Sequence, residues 1–145
     1  MIQEDKKLLL RDLCARLPYG AKLDILNGVD TLGNIDINEG WINASYDVDE
    51  VKPYLRPMSS MTEEEAKELS ILYGIKDILS IKITDEYIEA IVDDGFSSTE
   101  TRTIWYDEII SSIEIFDWLN AHHFDYRGLI EKNLALDCTG LHIYD

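Results

Sequence analysis

At 145 residues, with 46% hydrophobic side chains, the chain is long enough to enclose a core, which excludes a disordered or low-complexity protein. Its formal charge is −16, and the excess lies mainly beyond residue 58: seven basic and ten acidic side chains precede that point, six and nineteen follow it. Phosphates and anionic lipids are held by clustered cations, so direct binding of nucleic acid or a membrane surface is excluded.

No apolar run approaches membrane-spanning length, and the N-terminal residues lack the apolar core of a signal peptide. Cys14 and Cys138 are far apart in sequence, which predicts free thiols, no disulfide framework and a cytoplasmic location.

Residues 3–16 read as a first helix. Leu10, Leu13, Cys14 and Leu17 fall at i, i+3, i+4 and i+7, and Pro18 ends the run. Residues 22–26 alternate, and Asn27-Gly28 is a strong hairpin signal because both residues tolerate positive φ. Ile35 and Ile37 continue the alternation, with a bulge expected at Gly33, and residues 38–40 turn the chain into a further strand at 41–46. A helix followed by a three-stranded meander results.

Residues 47–61 form the candidate internal boundary, since Pro53 and Pro57 bracket Tyr54-Leu55-Arg56 and forbid a regular helix. Thr62 to Glu65 spells a capping box for a second helix that reaches about Tyr73 and stops near Gly74. Strands follow at 78–83, 87–92 and 101–106, with a turn at Asp94-Gly95. A third helix spans 107–121, and Asp125 caps a short fourth over 126–132 with Asn133 closing it. The predicted fold is α+β: helix plus antiparallel meander, twice, then two C-terminal helices. It is read as a single compact domain, with possible subdomains 1–58 and 59–145.

Residues 116–127 concentrate the chemistry, with His122 and His123 between Asp117 and Asp125. Adjacent helical positions diverge by about 100°, so these histidines are poorly placed to share a metal ion. On a continued helix His123 turns inward with Phe116 and Leu119, while Trp118 and His122 lean outward. Arg127 is expected to pair with Asp117 or Asp125. Cys138 and His142 are four apart, but Thr139-Gly140 argues against the helix that would join them. No cofactor-binding or metal motif occurs, so none is predicted.

Three stretches carry a resemblance. They are residues 13–20 (Leu13-Cys14-Ala15-Arg16-Leu17-Pro18-Tyr19-Gly20), residues 49–65 around Tyr54-Leu55-Arg56-Pro57-Met58-Ser59-Ser60-Met61, and residues 117–132 around Asp117-Trp118-Leu119-Asn120-Ala121-His122-His123-Phe124-Asp125-Tyr126-Arg127. Together they resemble a family of small uncharacterised proteins encoded by gut-bacterial phages and mobile elements. The resemblance implies kinship and no activity. The last two stretches are expected to pack together as a frame, with Arg56 and Arg127 meeting carboxylates.

These readings favour a non-enzymatic protein-binding domain with a protein partner. Tyr54, Arg56, Trp118, His122, Tyr126 and Arg127 are the candidate contact residues, since aromatic and Arg side chains anchor interfaces. One alternative is an acidic nucleic-acid mimic that occupies the phosphate cleft of a host defence or DNA-handling protein. Another is a small enzyme using His122 or His123 with Asp117 or Asp125.

Overall fold

The computed structural model describes residues 1–145 as a mixture of helices and small sheets. Two compact units result: Met1–Arg56 with Asn120–Asp145, and Pro57–Leu119. The sequence reading keeps residues 59–145 together. In the structure the chain leaves the first unit after Arg56 and its C-terminal segment returns to it.

In the first unit, α1 (Gln3–Arg16) buries Leu9, Asp12, Leu13 and Arg16, a stripe at i, i+3, i+4 and i+7. That stripe is rotated from the predicted one, and Leu10, Cys14 and Leu17 are half-buried at its flank. The rotation is possible because Asp12 and Arg16 satisfy each other, so a charged pair goes inside with the leucines.

Strands β1 (Lys22–Ile25) and β2 (Gly28–Thr31) form the predicted hairpin, but its loop is Leu26-Asn27. Gly28 lies one place further on, with a φ of +134°, and pairs with Ile25. The chain then breaks rather than bulges. The side chain of Asn43 accepts from Gly33 N (2.7 Å) and Asn34 N (3.2 Å) and donates to the carbonyl of Thr31 (2.8 Å). Beyond this clasp β3 (Ile35–Asp36), β4 (Trp41–Ile42) and β5 (Tyr46–Asp47) make a separate small sheet, so the predicted single meander becomes two sheets.

The Pro-bracketed segment supplies β6 (Lys52–Leu55), which lies between β1 and β10 (Leu136–Asp137) in the order β10-β6-β1-β2. Pairing of β10 with β6 is parallel and begins only at Tyr54, one residue after Pro53, which has no N–H to donate. The core of this unit gathers Leu9 and Leu13, Leu23, Ile42 and Leu55 with Leu129 and Leu134 from the C-terminal segment.

The predicted fourth helix is absent. Residues 129–133 make one turn, closed by Leu134 N to Leu129 O (2.9 Å) and Asn133 N to Ile130 O (3.0 Å), with Asn133 at φ +59°. This is a helical C-terminal closure without the helix. Asp125 bonds forward to Leu129 N and Ile130 N, and Gly128 at φ +72° bends the backbone inside the span a helix would need.

In the second unit, α2 (Glu63–Leu72) begins with the predicted capping box: Glu65 N donates to Thr62 Oγ1 (3.2 Å) and Thr62 N to Glu65 Oε1 (3.0 Å). It ends at Gly74, where Ile75 N reaches Ser70 O and Gly74 N reaches Ile71 O. Strands β7 (Ile78–Ile83), β8 (Tyr87–Asp93) and β9 (Thr99–Trp105) form the predicted antiparallel meander in that order. β8 shows the expected alternation, with Ile88, Ala90 and Val92 buried. The predicted third helix is shorter than read: residues 106–108 make a single tight turn, and α3 is Ile113–Ala121. No helix of the chain is long and apolar enough to cross a membrane.

Candidate functional site

Arg16 is fully buried and holds Asp12 through Nε (2.7 Å) and Nη2 (3.1 Å), while Nη2 also donates to the carbonyl of Phe124 (2.8 Å). Arg127 adds a second guanidinium, its Nε 3.2 Å from Asp12 Oδ1 but not aligned for a hydrogen bond. One buried carboxylate thus faces two guanidiniums. Both lie against the ring of Tyr126, at 5.1 Å and 5.2 Å from its centroid, so the ring's electron-rich face takes up the uncompensated positive charge. Arg127 therefore pairs with Asp12, not with Asp117 or Asp125. Both carboxylate oxygens of Asp125 are engaged by the backbone of Leu129 and Ile130.

The end of the Pro-bracketed segment and the residues that follow α3 lock together here. Arg56 N donates to His123 O and Asp125 N donates to Arg56 O, both at 2.8 Å, forming a parallel bridge between Arg56 and Phe124. The Arg56 guanidinium lies over the Phe124 ring at 4.2 Å. Helix α3 stops at Ala121, so helical spacing does not extend to His123. Its φ of +63° instead lays the ring flat on Tyr144, centroids 3.6 Å apart. Tyr144 is itself fixed: its hydroxyl accepts from Lys22 N (2.9 Å) and donates to Tyr54 O (2.7 Å).

The candidate residues separate accordingly. Tyr54, Arg56, His122, Tyr126 and Arg127 belong to the first unit and are half-buried. The hydroxyl of Tyr126 donates to Asn120 Oδ1 (2.7 Å), that of Tyr54 lies 3.4 Å from Asp24, and His122 stacks at 6.4 Å from Phe124. Trp118 belongs to the second unit and, against the outward lean expected of it, is buried with Nε1 donating to Glu68 (2.7 Å). No family model, curated protein or solved structure matches the chain.

Burial, reinforced by Arg16, His122, Arg56 and Lys22, pulls the His123 imidazole down to about 4. Its Nδ1 has no protein partner. A histidine depressed in this way stays neutral in the fold but binds a proton in the unfolded chain below about pH 6.5. Stability is therefore full above that pH and falls as pH drops toward 4, by up to about 3 kcal/mol from this group. His123→Asn tolerates the positive φ and removes the titration, so its urea midpoint is expected to change less than wild type between pH 6.5 and 4.5.

Both cysteines are free, and burial pushes each thiol up, so neither is poised as a nucleophile. His142 pairs with Asp145 rather than with Cys138. No group of three His, Cys, Asp or Glu side chains is placed to hold a metal ion. A cleft of about 410 Å³ beside α1 brings Lys6, Lys7 and Arg11 over Leu10 and Ile37, an uncommon cationic spot in an acidic chain.

The second unit holds the feature missed in sequence. Phe96, at the tip between β8 and β9, is 88% exposed. Its loop is nonetheless fixed: Asp94 Oδ1 accepts from Phe96 N (2.7 Å) and Ser98 N (3.2 Å), and Asp93 Oδ1 accepts from Gly95 N (2.9 Å). The bond from Phe96 N, aided by Ser98, holds the Asp94 carboxyl below the usual range, so the tip survives mild acid. The signal was present as a large aromatic directly after an Asp-Gly turn, a place where nothing within the hairpin can cover it.

Proposed function

We propose that the chain is a non-enzymatic protein-binding domain, of phage or mobile-element origin, that works in the reducing cytoplasm of a bacterial host. The contact is placed on the second unit, with Phe96 as anchor. The observation that carries the reading is this nearly bare aromatic ring on a loop pinned by its own aspartates. A side chain presented on a fixed loop loses little conformational freedom on binding, and its ring contributes apolar area that water already surrounds.

The same unit has fifteen carboxylates and four cations, a net of −11. The fitting partner therefore offers an apolar pocket rimmed by Lys or Arg, and long-range attraction speeds the encounter. The candidate residues of the first unit already have partners within the chain, which makes them supports rather than contacts. The kinship with phage and mobile-element proteins rests on the shared phrases alone.

The mimic reading has weaker support. Asp85 and Glu86 precede β8 while Asp93 and Asp94 close it, which separates the two groups by about 23 Å along the strand. Glu63 to Glu65 lie in the first turn of α2, where they serve the helix dipole. An enzyme built on His123 and Asp125 would need a base of useful strength, but the imidazole, lowered to about 4 by burial, binds a proton only weakly and the carboxylate is already engaged.

The test is capture of a partner from the native host at low and high salt, with wild type and Phe96→Ala. Every bond of the tip uses backbone or aspartate, so the variant keeps its fold. Its affinity for the captured protein is expected to fall about thirtyfold, ~2 kcal/mol. Equal affinity would remove Phe96 as the anchor, and binding abolished by salt alone would favour mimicry.

A further inference from the structure

The sheet of the second unit has two edges, and they are treated differently. β7 carries a register break between Ile78 and Ser80, has Lys82 exposed, and lies alongside α2. Bulges, lysines and covering helices are the usual protections of an edge. β9 has none of these, and Thr99 to Thr103 are all exposed along it.

The hydrogen-bond phase of β9 can be assigned. Tyr106 N bonds to Glu86 O and Asp94 N to Ser98 O, and the register between them is unbroken. The even-numbered residues of β9 therefore bond to β8, and Thr99, Thr101, Thr103 and Trp105 direct their backbone N–H and C=O groups to the open edge. Such a row is a template for another strand.

The sequence on that edge is self-complementary. If two copies of β9 pair antiparallel about Thr101, Thr101 meets itself and Thr99 meets Thr103. Both are rungs that exchange two backbone bonds, because these are the residues whose backbone faces outward. On one face the threonines form a ladder, a favourable cross-strand pairing. On the other face Glu100 of each copy falls opposite Arg102 of the other. Within one chain these side chains are only loosely paired, 3.6 Å apart and more than half exposed, so they are available. An edge guarded against self-pairing would place like charges at these two positions. Here the charges are opposite and the register satisfies both.

We propose that β9 is a homodimerisation edge, at which a second copy of the chain adds antiparallel about Thr101 to make one continuous sheet. The contact is isologous and closes on itself, giving a dimer and not a filament. It does not depend on the Phe96 reading, since it uses the strand and not the tip.

Sedimentation at physiological salt, over a range of concentrations, tests this with five samples. Wild type is expected to dimerise as concentration rises. Glu100→Arg and Arg102→Glu, each placing like charges opposite one another, are expected to stay monomeric, with the dimer dissociation constant raised at least tenfold. The double variant Glu100→Arg/Arg102→Glu restores both pairs and the dimer. An equal mixture of the two single variants should form a heterodimer, because position 100 of one then opposes position 102 of the other with opposite charge. All four side chains at issue are exposed, so the variants fold, which circular dichroism checks. Wild type that stays monomeric at every concentration, single variants that dimerise as well as wild type, or a mixture that remains monomeric would each overturn the proposal.

Discussion

Asp12→Asn is expected to lower the unfolding free energy by about 3–5 kcal/mol, the range for breaking a buried ion pair from one side. The carboxylate is wholly buried, and it is the charged partner of Arg16 and, at 3.2 Å, of Arg127. Asparagine preserves the shape but removes the charge, which leaves the buried Arg16 guanidinium facing only an amide and a carbonyl. Removing both members of the helical pair is a different experiment. With Asp12→Leu and Arg16→Met together, no charge is stranded in α1, and Arg127 has an 18% exposed side chain that can turn to solvent. The double variant is therefore expected to be more stable than Asp12→Asn, although it loses the bond to Phe124 O. Urea denaturation of the two variants checks both statements. A single variant within about 1 kcal/mol of wild type would mean that the cluster behaves as a surface salt bridge.

The same cluster explains what could be read in the sequence and what could not. Local signals were reliable where a short stretch decides the outcome: the capping box at Thr62, the stop at Gly74, and the meander that contains Asp94-Gly95. They misled where a distant residue decides. The bonds from Asn43 cut the first meander at Gly33, and nothing within residues 28–37 announces that side chain. α1 turned its charged pair inward because Phe124 O, far along the chain, waits for Arg16. His123 left the helix at a positive φ to meet Tyr144, so the inward and outward faces assigned by helical spacing did not apply to it. The frame idea fared better. The two phrases do pack together through Arg56 and Phe124, although Arg127 found Asp12 and not a neighbour. Arg127 does meet a carboxylate, as expected, but which one depended on the fold.

A chain ending at Leu119 is expected to lose the first unit altogether. Its missing residues supply β10, which flanks β6, and the buried Leu129, Leu134 and Ala135 of the core. They also supply fully buried Phe124, whose carbonyl anchors Arg16, and Tyr144, whose hydroxyl joins Lys22 N to Tyr54 O. Deleting the side chain of Phe124 or Leu129 alone costs about 2–5 kcal/mol at such sites. Losing both, together with the Phe124 carbonyl that Arg16 bonds, reaches the whole stability of an ordinary domain, about 5–15 kcal/mol. Amide exchange is the measurement that separates the units. Protection of α1 and β1 is expected to vanish in the shortened chain, and a peptide of residues 120–145 added in trans should restore part of it. Persisting protection of Leu9, Leu13 and Leu23 in the shortened chain would show instead that the first fifty-six residues fold unaided, and that the returning segment only decorates them.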